Sequence, residues 1–222
     1  MSLMYENTHT WNPFAGCRHE CVYCYAKKVA KRQKHRCIDC YNFVPHEHPE
    51  RLGKKFPKGS QVFVCSMGDI AFATVDYRKK IYDAIEKQPN VTFLLQSKNP
   101  GCFIRESDEM LIPNNTIIGT TIETTYDDMI SHAPRPHERY RDLCDVNHPQ
   151  KYVTIEPIMR FEFDTMVQWI YEIHPEFVYI GYDNHKHRLP EPSIGKTLKL
   201  MERLEEFTEV RRKIIRKAWW EE

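Results

Sequence analysis

The sequence has no long apolar run, because none approaches the roughly 18 consecutive residues that a membrane-spanning helix needs. It also has almost no net charge, with 32 Lys and Arg against 31 Asp and Glu, which excludes a domain that coats nucleic acid by charge alone. The N-terminal residues lack the apolar core of a secretory signal, so we expect a cytoplasmic protein. It has no glycine-rich phosphate loop, internal repeat or low-complexity tract.

What remains is a chain of 222 residues, long enough to bury a core, with eight cysteines. In a cytoplasmic protein of this size, so many cysteines indicate metal or redox chemistry and not disulfides. Cys65 and Cys102 adjoin apolar stretches and are expected to be buried as small hydrophobic side chains. Cys144 is a third isolated cysteine. The other five lie between residues 17 and 40.

Five short β-branched runs after residue 60 predict buried strands, and helix-like patterns lie between them. Residues 8–12 and 22–34 add one more strand and helix at the front. Six βα units favour a partial (β/α)6 barrel of the α/β class, with a doubly wound sheet as the alternative. We expect one barrel domain over residues 1–206, with a Cys/His-rich insertion at about 35–58, and a basic C-terminal helix over 207–222. The runs are 61–66, 91–97, 115–121, 151–157 and 176–182; the helical patterns are 76–87, 163–173 and 193–206, with Asp164 and Ser193 as candidate caps.

The strongest motif is a cysteine triplet, Cys17, Cys21 and Cys24, with C-x3-C-x2-C spacing directly after the first predicted strand. Three thiolates on one loop can hold three corners of a [4Fe–4S] cluster, whereas clusters that only transfer electrons use four cysteines. The fourth iron would keep an open coordination position for chemistry. A zinc knuckle or three reduced surface cysteines are the alternatives, but structural zinc normally takes four protein ligands.

With Tyr23 in the aromatic position, the triplet resembles the C-x3-C-x-aromatic-C signature of radical S-adenosylmethionine (SAM) enzymes. Further segments resemble a phage and prokaryotic family of radical-SAM-like proteins whose substrate is undefined, over residues 8 to about 182. These segments are THTWNPFAGC, CYA, HPERL, VFVCSMGDIAF and IEP. The resemblance implies a partial barrel, a [4Fe–4S] cluster on the triplet, and SAM cleaved reductively to a 5′-deoxyadenosyl radical. It also implies a reductant protein such as flavodoxin or ferredoxin.

Polar residues close most of the predicted strands, where barrel enzymes build their sites. If SAM lies across these ends, a carboxylate can meet its ammonium group, a lysine its carboxylate, and hydroxyl or acidic groups its ribose. Each such residue is also typical of an ordinary cap or turn. The candidate cofactor contacts are Tyr23, Ser66, Met67, Gly68, Asp69, Lys98, Thr121, Glu123, Glu156, Tyr182 and Asn184.

A second group, Cys37, Cys40, His46 and His48, has the donors of a tetrahedral zinc site at an uncommon spacing. Three interpretations stay open: a zinc site, an auxiliary iron–sulfur cluster completed by Cys144, or two reduced thiols without metal.

Three functions are consistent with the sequence. The first is a radical SAM enzyme acting on an unknown substrate, nucleic acid among the candidates. The second is a DNA-lesion repair lyase, since spore photoproduct lyases have a similar layout. The third is a zinc-dependent module that binds nucleic acid or a partner without catalysis, using the front cysteines and the basic tail with Trp219 and Trp220.

Overall fold

The computed structural model describes residues 8–109 and 111–221. The strands are β1 (Thr8–Trp11), β2 (Phe14–Ala15), β3 (His46–Glu47), β4 (Gln61–Val64), β5 (Thr92–Gln96), β6 (Thr116–Thr121), β7 (Lys151–Ile155), β8 (Phe177–Ile180) and β9 (Glu209–Arg212). The α-helices are α1 (Tyr25–Ala30), α2 (Ile38–Asn42), α3 (Val75–Glu86), α4 (Ile104–Asp108), α5 (Pro136–Asp145), α6 (Phe163–Ile173) and α7 (Ile194–Glu205). No helix in this part of the chain is long and apolar enough to cross a membrane.

Seven strands form one parallel sheet in the order β1-β4-β5-β6-β7-β8-β9, curled into a half-barrel. The order follows the chain without reversal, which excludes the doubly wound alternative, where the strand order reverses at a switch point. The prediction of a single-domain partial α/β barrel is therefore confirmed. A second sheet of only two strands, β2 and β3, joins the first loop to the Cys/His-rich insertion.

The convex face of the sheet carries the main hydrophobic core. Side chains alternate along each strand, so every second residue points towards the surrounding helices. The helices contribute matching apolar faces, and the whole cluster is excluded from water. Among its members are Val62, Phe93, Ile118, Val153 and Val178 from the sheet and Ile81, Ile170 and Leu204 from helices α3, α6 and α7.

The concave face is arranged in layers along the strands. Its lower part is filled by a cluster of strand residues only: Phe63, Leu94, Ile117, Tyr152, Phe177 and Tyr179. Above it lies a polar layer in which the Gln96 amide donates to Thr121 Oγ1 (2.8 Å) and accepts from Thr154 Oγ1 (3.1 Å). The two-residue period then places Lys98, Glu123 and Glu156 above that layer, at the carboxyl end of the half-barrel.

The predicted helices after residue 60 coincide with α3, α6 and α7. Ser193 caps α7, because its hydroxyl accepts from the amide of Lys196. Asp164 does not cap α6: Glu162 is the N-cap residue, and Asp164 lies within the first turn. There its negative charge favours the helix N-terminus without a capping bond.

The prediction of a basic C-terminal helix over residues 207–222 is wrong. Helix α7 ends at Glu205, and residues Glu209–Arg212 form β9, which pairs in parallel with β8. Backbone pairing with the exposed edge of β8 satisfies more polar groups than a short isolated helix would. The rest of the tail folds back over Glu191, which accepts from Arg216 Nη2 (2.7 Å) and from the Trp219 amide (3.1 Å). Trp219 and Trp220 are therefore attached to the barrel by hydrogen bonds.

We predict that Gly119→Ala destabilises the protein by about 1–3 kcal/mol, the typical cost of overpacking. A Cβ at Gly119 would lie 2.3 Å from the ring of Tyr152, which is fully buried. Gly195→Ala is the matched control, since a Cβ there meets nothing within 4 Å; we expect it to be neutral or to stabilise by up to about 1 kcal/mol. Denaturant unfolding measures both, and equal effects of the two substitutions would contradict this packing.

Candidate functional site

A buried carboxylate, Glu123, is the centre of the polar groups at the carboxyl end of the half-barrel. Its side chain is 0% exposed. Its Oε1 accepts from Tyr23 Oη (2.8 Å) and Lys98 Nζ (2.9 Å), and its Oε2 accepts from Arg139 Nη1 (2.7 Å). Burial alone would raise the pKa of Glu123, but the adjacent Arg139 and Lys98 cations hold it well below its usual value. Glu123 is therefore ionised, and both of its carboxylate oxygens accept hydrogen bonds from the protein; we call Glu123 and its three partners the hub.

Tyr23 connects the cysteine loop to this hub. Its hydroxyl donates to Glu123 and accepts from Lys98 Nζ at 2.6 Å, so three predicted site residues contact one another. The ammonium of Lys98 has three N–H donors, and these two bonds leave one for a further acceptor. The hydrogen bond between Tyr23 and Glu123 instead holds the cysteine loop against the ends of β5 and β6. The predicted contact of Glu123 with the SAM ribose would require one of these bonds to break.

Asp69 forms a second buried anchor. Its Oδ1 accepts from Ser97 Oγ (2.6 Å) and the Ala71 amide (3.0 Å), and its Oδ2 accepts from the Lys98 amide (2.8 Å) and faces His19 Nε2 (3.1 Å). Since His19 lies between Cys17 and Cys21, Asp69 fastens the cysteine loop to the ends of β4 and β5. Its oxygens are occupied by the protein itself, and a contact with the SAM ammonium stays a prediction.

The loop that carries the triplet is also fixed through its backbone. The amide of Gly16 donates to Met67 O (2.9 Å), and the amide of Val22 donates to Ile130 O (3.0 Å). Gly16 has φ +87°, and a Cβ there would lie 2.1 Å from Val44 O, so only glycine fits at this position.

The three thiols of the triplet are free and partly buried. Cys17 Sγ accepts from the His19 amide, and Cys24 Sγ caps α1 through the Lys27 amide, each at 3.4 Å. Burial raises the pKa values of Cys17 and Cys21, so a thiolate there needs a compensating positive charge such as a metal.

Glu156 is the exception among the acids at this end. Its Oε2 is buried and has no hydrogen-bond partner among the described residues. Burial raises the pKa of Glu156 to about 7. Directly after the neighbouring strand β8, a Cβ at Gly181 would lie 2.7 Å from Lys213 Cβ and 3.3 Å from Glu156 Oε1, so the absence of a side chain there lets Lys213 and Glu156 pack closely. A buried polar atom without a partner at this end is a candidate ligand contact.

Residues 66–68 are hydrogen-bonded to the segments on either side of the cysteine triplet. Tyr25 Oη donates to Ser66 O (2.9 Å), while Asn12 Oδ1 accepts from the Met67 amide (2.8 Å) and Ser66 Oγ (3.2 Å). Gly68 pairs with Gly16, where a Cβ on Gly68 would lie 2.6 Å from Gly16 O.

Three predicted site residues lie away from this centre. Tyr182 is 0% exposed, and its hydroxyl bonds Thr197 Oγ1 (2.7 Å) and donates to Pro192 O (3.1 Å). It lies one residue out of phase with Gly181 and so faces the helices, which makes the predicted contact with adenine or substrate wrong. Asn184 is exposed on the following loop. Thr121 lies one layer below Glu123, bonded to Gln96.

Sequence reasoning missed Arg139, His19, Ser97 and Asn12. Arg139 lies in a stretch after β6 that is typical of an ordinary loop, yet it belongs to α5 and its side chain is only 1% exposed. The signal available in the sequence was the odd composition of residues 132–141, which borders the carboxyl end of the sheet.

Comparison with solved structures gives the class of fold. A double variant of spore photoproduct lyase with bound AdoMet and dinucleoside spore photoproduct matches 93% of this chain and 64% of that chain, with 12% identity and a TM-score of 0.57. A single variant of the same lyase with dinucleoside spore photoproduct matches 87% of this chain and 60% of that one, at 12% identity and a TM-score of 0.53. The chain thus has the partial-barrel fold of these proteins and spans less than two thirds of their length.

The family is given by sequence. The model of DUF5131, described as a protein of unknown function, matches residues 4–171, and the chain belongs to this family. A search of curated proteins found no match.

We predict that Glu156 makes stability depend on pH. Its folded pKa of about 7 exceeds its ordinary value of 4.5, so between these values the folded state binds more protons than the unfolded state. Stability contributed by Glu156 is therefore present at low pH and is lost as pH rises through about 7. Glu156→Gln should gain stability relative to the wild type between pH 5 and pH 8, roughly the window of this titration. Denaturant unfolding at both pH values measures the difference, and a pH-independent difference would contradict the assignment.

Proposed function

We propose that the protein is a radical SAM enzyme whose [4Fe–4S] cluster is held by Cys17, Cys21 and Cys24. The observation that carries the proposal is the position of the triplet: three free thiols on one loop, fastened through Tyr23 to Lys98 and Glu123 at the carboxyl end of a partial parallel barrel. When bound, the cluster and SAM would supply a 5′-deoxyadenosyl radical that removes a hydrogen atom from the substrate.

The donor set fits such a cluster. The loop supplies three thiols and no fourth, which leaves one iron free for a bound molecule. Cys37 and Cys40 are not available to it, because they converge with two histidines in a separate group. Raised pKa values at Cys17 and Cys21 are also consistent with sites whose thiolates form when a metal compensates their charge.

The protein's own residues would position SAM and exclude water. In the proposed complex the remaining N–H of Lys98 meets the carboxylate of SAM. Glu156, whose Oε2 has no hydrogen-bond partner among the described residues, is an acceptor near its pKa at neutral pH. Glu123, Arg139 and Asp69 keep the loop in place beneath the bound molecule. The apolar residues that fill the lower half-barrel close it on that side.

Anaerobic reconstitution of the full chain with iron and sulfide tests the proposal. We expect about four irons per chain and, after reduction, methionine and 5′-deoxyadenosine from SAM, measured by chromatography. Cys21→Ala should lose the cluster and the cleavage, whereas Cys144→Ala, a cysteine outside the loop, should keep both. A protein that holds four irons yet leaves SAM intact would refute the radical mechanism. A full cluster in Cys21→Ala would refute the assigned ligands.

The single electron for this cleavage must come from outside the chain, and we propose flavodoxin or ferredoxin as the donor. Either should replace the chemical reductant in the same assay.

For the substrate we propose nucleic acid, with repair of a DNA lesion as the specific alternative. The support is the fold shared with spore photoproduct lyase over 93% of this chain. We expect nucleic acid to raise 5′-deoxyadenosine formation above the rate without substrate. Ultraviolet-irradiated DNA should be compared with undamaged DNA and RNA. Stimulation by irradiated DNA alone would select the lyase, and no stimulation by any of the three would reject this substrate class.

A colourless protein that holds only zinc would instead select a non-catalytic binding module.

A further inference from the structure

Four side chains outside the triplet converge at one point: Cys37, Cys40, His46 and His48. One ligand atom from each lies within 4.8 Å of the others. Cys37 is the N-cap residue of α2, Cys40 lies inside that helix, His46 lies in β3, and His48 follows β3 directly. A turn of helix and a two-residue strand therefore bring together donors that the linear spacing leaves apart.

The hydrogen bonds of the two imidazoles fix which nitrogen faces the sulfurs. His46 Nδ1 lies 2.7 Å from Val44 O, and His48 Nδ1 lies 2.8 Å from Glu50 Oε1. A carbonyl and a carboxylate only accept, so each Nδ1 carries the proton. Each neutral imidazole then presents the lone pair of Nε2 to the cysteines. Such Nδ1 bonds to a carbonyl or carboxylate are typical of metal-binding histidines.

The distances between these donors fit one metal ion. His46 Nε2 lies 3.4 Å from Cys37 Sγ and 3.3 Å from Cys40 Sγ, and His48 Nε2 lies 3.2 Å from Cys40 Sγ. A tetrahedral zinc ion with ordinary Zn–S and Zn–N bond lengths has sulfur–nitrogen edges of about 3.6 Å. The Cys40 amide also points to Cys37 Sγ, at 3.4 Å.

We propose that these four residues form a closed structural Zn²⁺ site. Two thiolates and two neutral imidazoles are a typical zinc donor set, and two thiolates balance the charge of the ion. Four protein ligands leave no open position, which separates this site from the catalytic type. His48 is only 6% exposed and the other three ligands are half-buried, so the ion would be partly shielded from water. The auxiliary cluster completed by Cys144 is disfavoured, because Cys144 does not belong to this group.

The site would clamp the segment that leads into the cysteine triplet. Strand β3, which carries His46, pairs with β2, and the His48 amide donates to Pro13 O at 2.6 Å. The Cys17 amide donates to the carbonyl oxygen of Phe43 at 3.3 Å, and Phe43 is the C-cap residue of α2. A sheet of two two-residue strands and a five-residue helix have little stability of their own. Metal binding would therefore add order to residues 37–48.

The site is tested by measuring the zinc content of the full chain by mass spectrometry after acid digestion of the protein. We expect about one zinc per chain, lost in Cys40→Ala and in His46→Ala and retained in the controls Cys144→Ala and His35→Ala. His46→Cys should retain zinc, because three cysteines and one histidine also form a zinc set. The combined variant Cys17→Ala, Cys21→Ala, Cys24→Ala should keep its zinc whether or not the proposed function is correct.

Two further measurements on the wild-type chain apply even if Cys40→Ala does not fold. Cobalt exchanged into the site should give the intense visible absorption of tetrahedral thiolate ligation. Removal of the metal by a chelator should reduce hydrogen-exchange protection at the amides of Cys17 and His48. The proposal would be overturned by an octahedral cobalt spectrum or by hydrogen-exchange protection that the chelator leaves unchanged. It would also be overturned if His46→Ala kept its zinc or if the triplet variant lost it.

Discussion

The arrangement of the site depends on one buried carboxylate, Glu123, and the three donors that surround it. Arg139 comes from a helix, Lys98 from the end of a strand, and Tyr23 from the cysteine loop, so a single charged group joins three segments distant in sequence. An ionised carboxylate is stable in this environment only while both cations remain close. The position of the cysteine loop is thus linked electrostatically to the packing of α5 against the sheet.

Part of this fold was predictable from the apolar runs. The continuous runs predict buried parallel strands with α3, α6 and α7 between them, but they do not separate a partial barrel from a doubly wound sheet, and α4 and α5 were not predicted. The polar residues at the strand ends predict that Lys98, Glu123 and Glu156 lie at the carboxyl end of the sheet. They also predict Tyr182 as a contact, but side-chain direction alternates along a strand, and Tyr182 belongs to the opposite face.

Other features depend on contacts that local pattern does not encode. Arg139 looks like an ordinary surface residue of an amphipathic helix until Glu123 is placed beside it. The four hydrogen-bond partners of Asp69 come from three different segments, so its role as an anchor had no local signature. The basic tail is predicted as a helix. Pairing with β8 overrides that preference.

Among the residues that the structure describes, β9 lies at one edge of the seven-stranded sheet. An unpaired strand edge is a template for the strand of another molecule, and proteins protect such edges with charge. Here the edge strand ends in Arg211 and Arg212, with Lys213 next in sequence. Arg211 is paired with Glu209 and Arg212 with Glu205, so this edge carries ion pairs and not a block of like charge. Strand addition by a second copy would have to disturb these pairs, which opposes self-association through this edge.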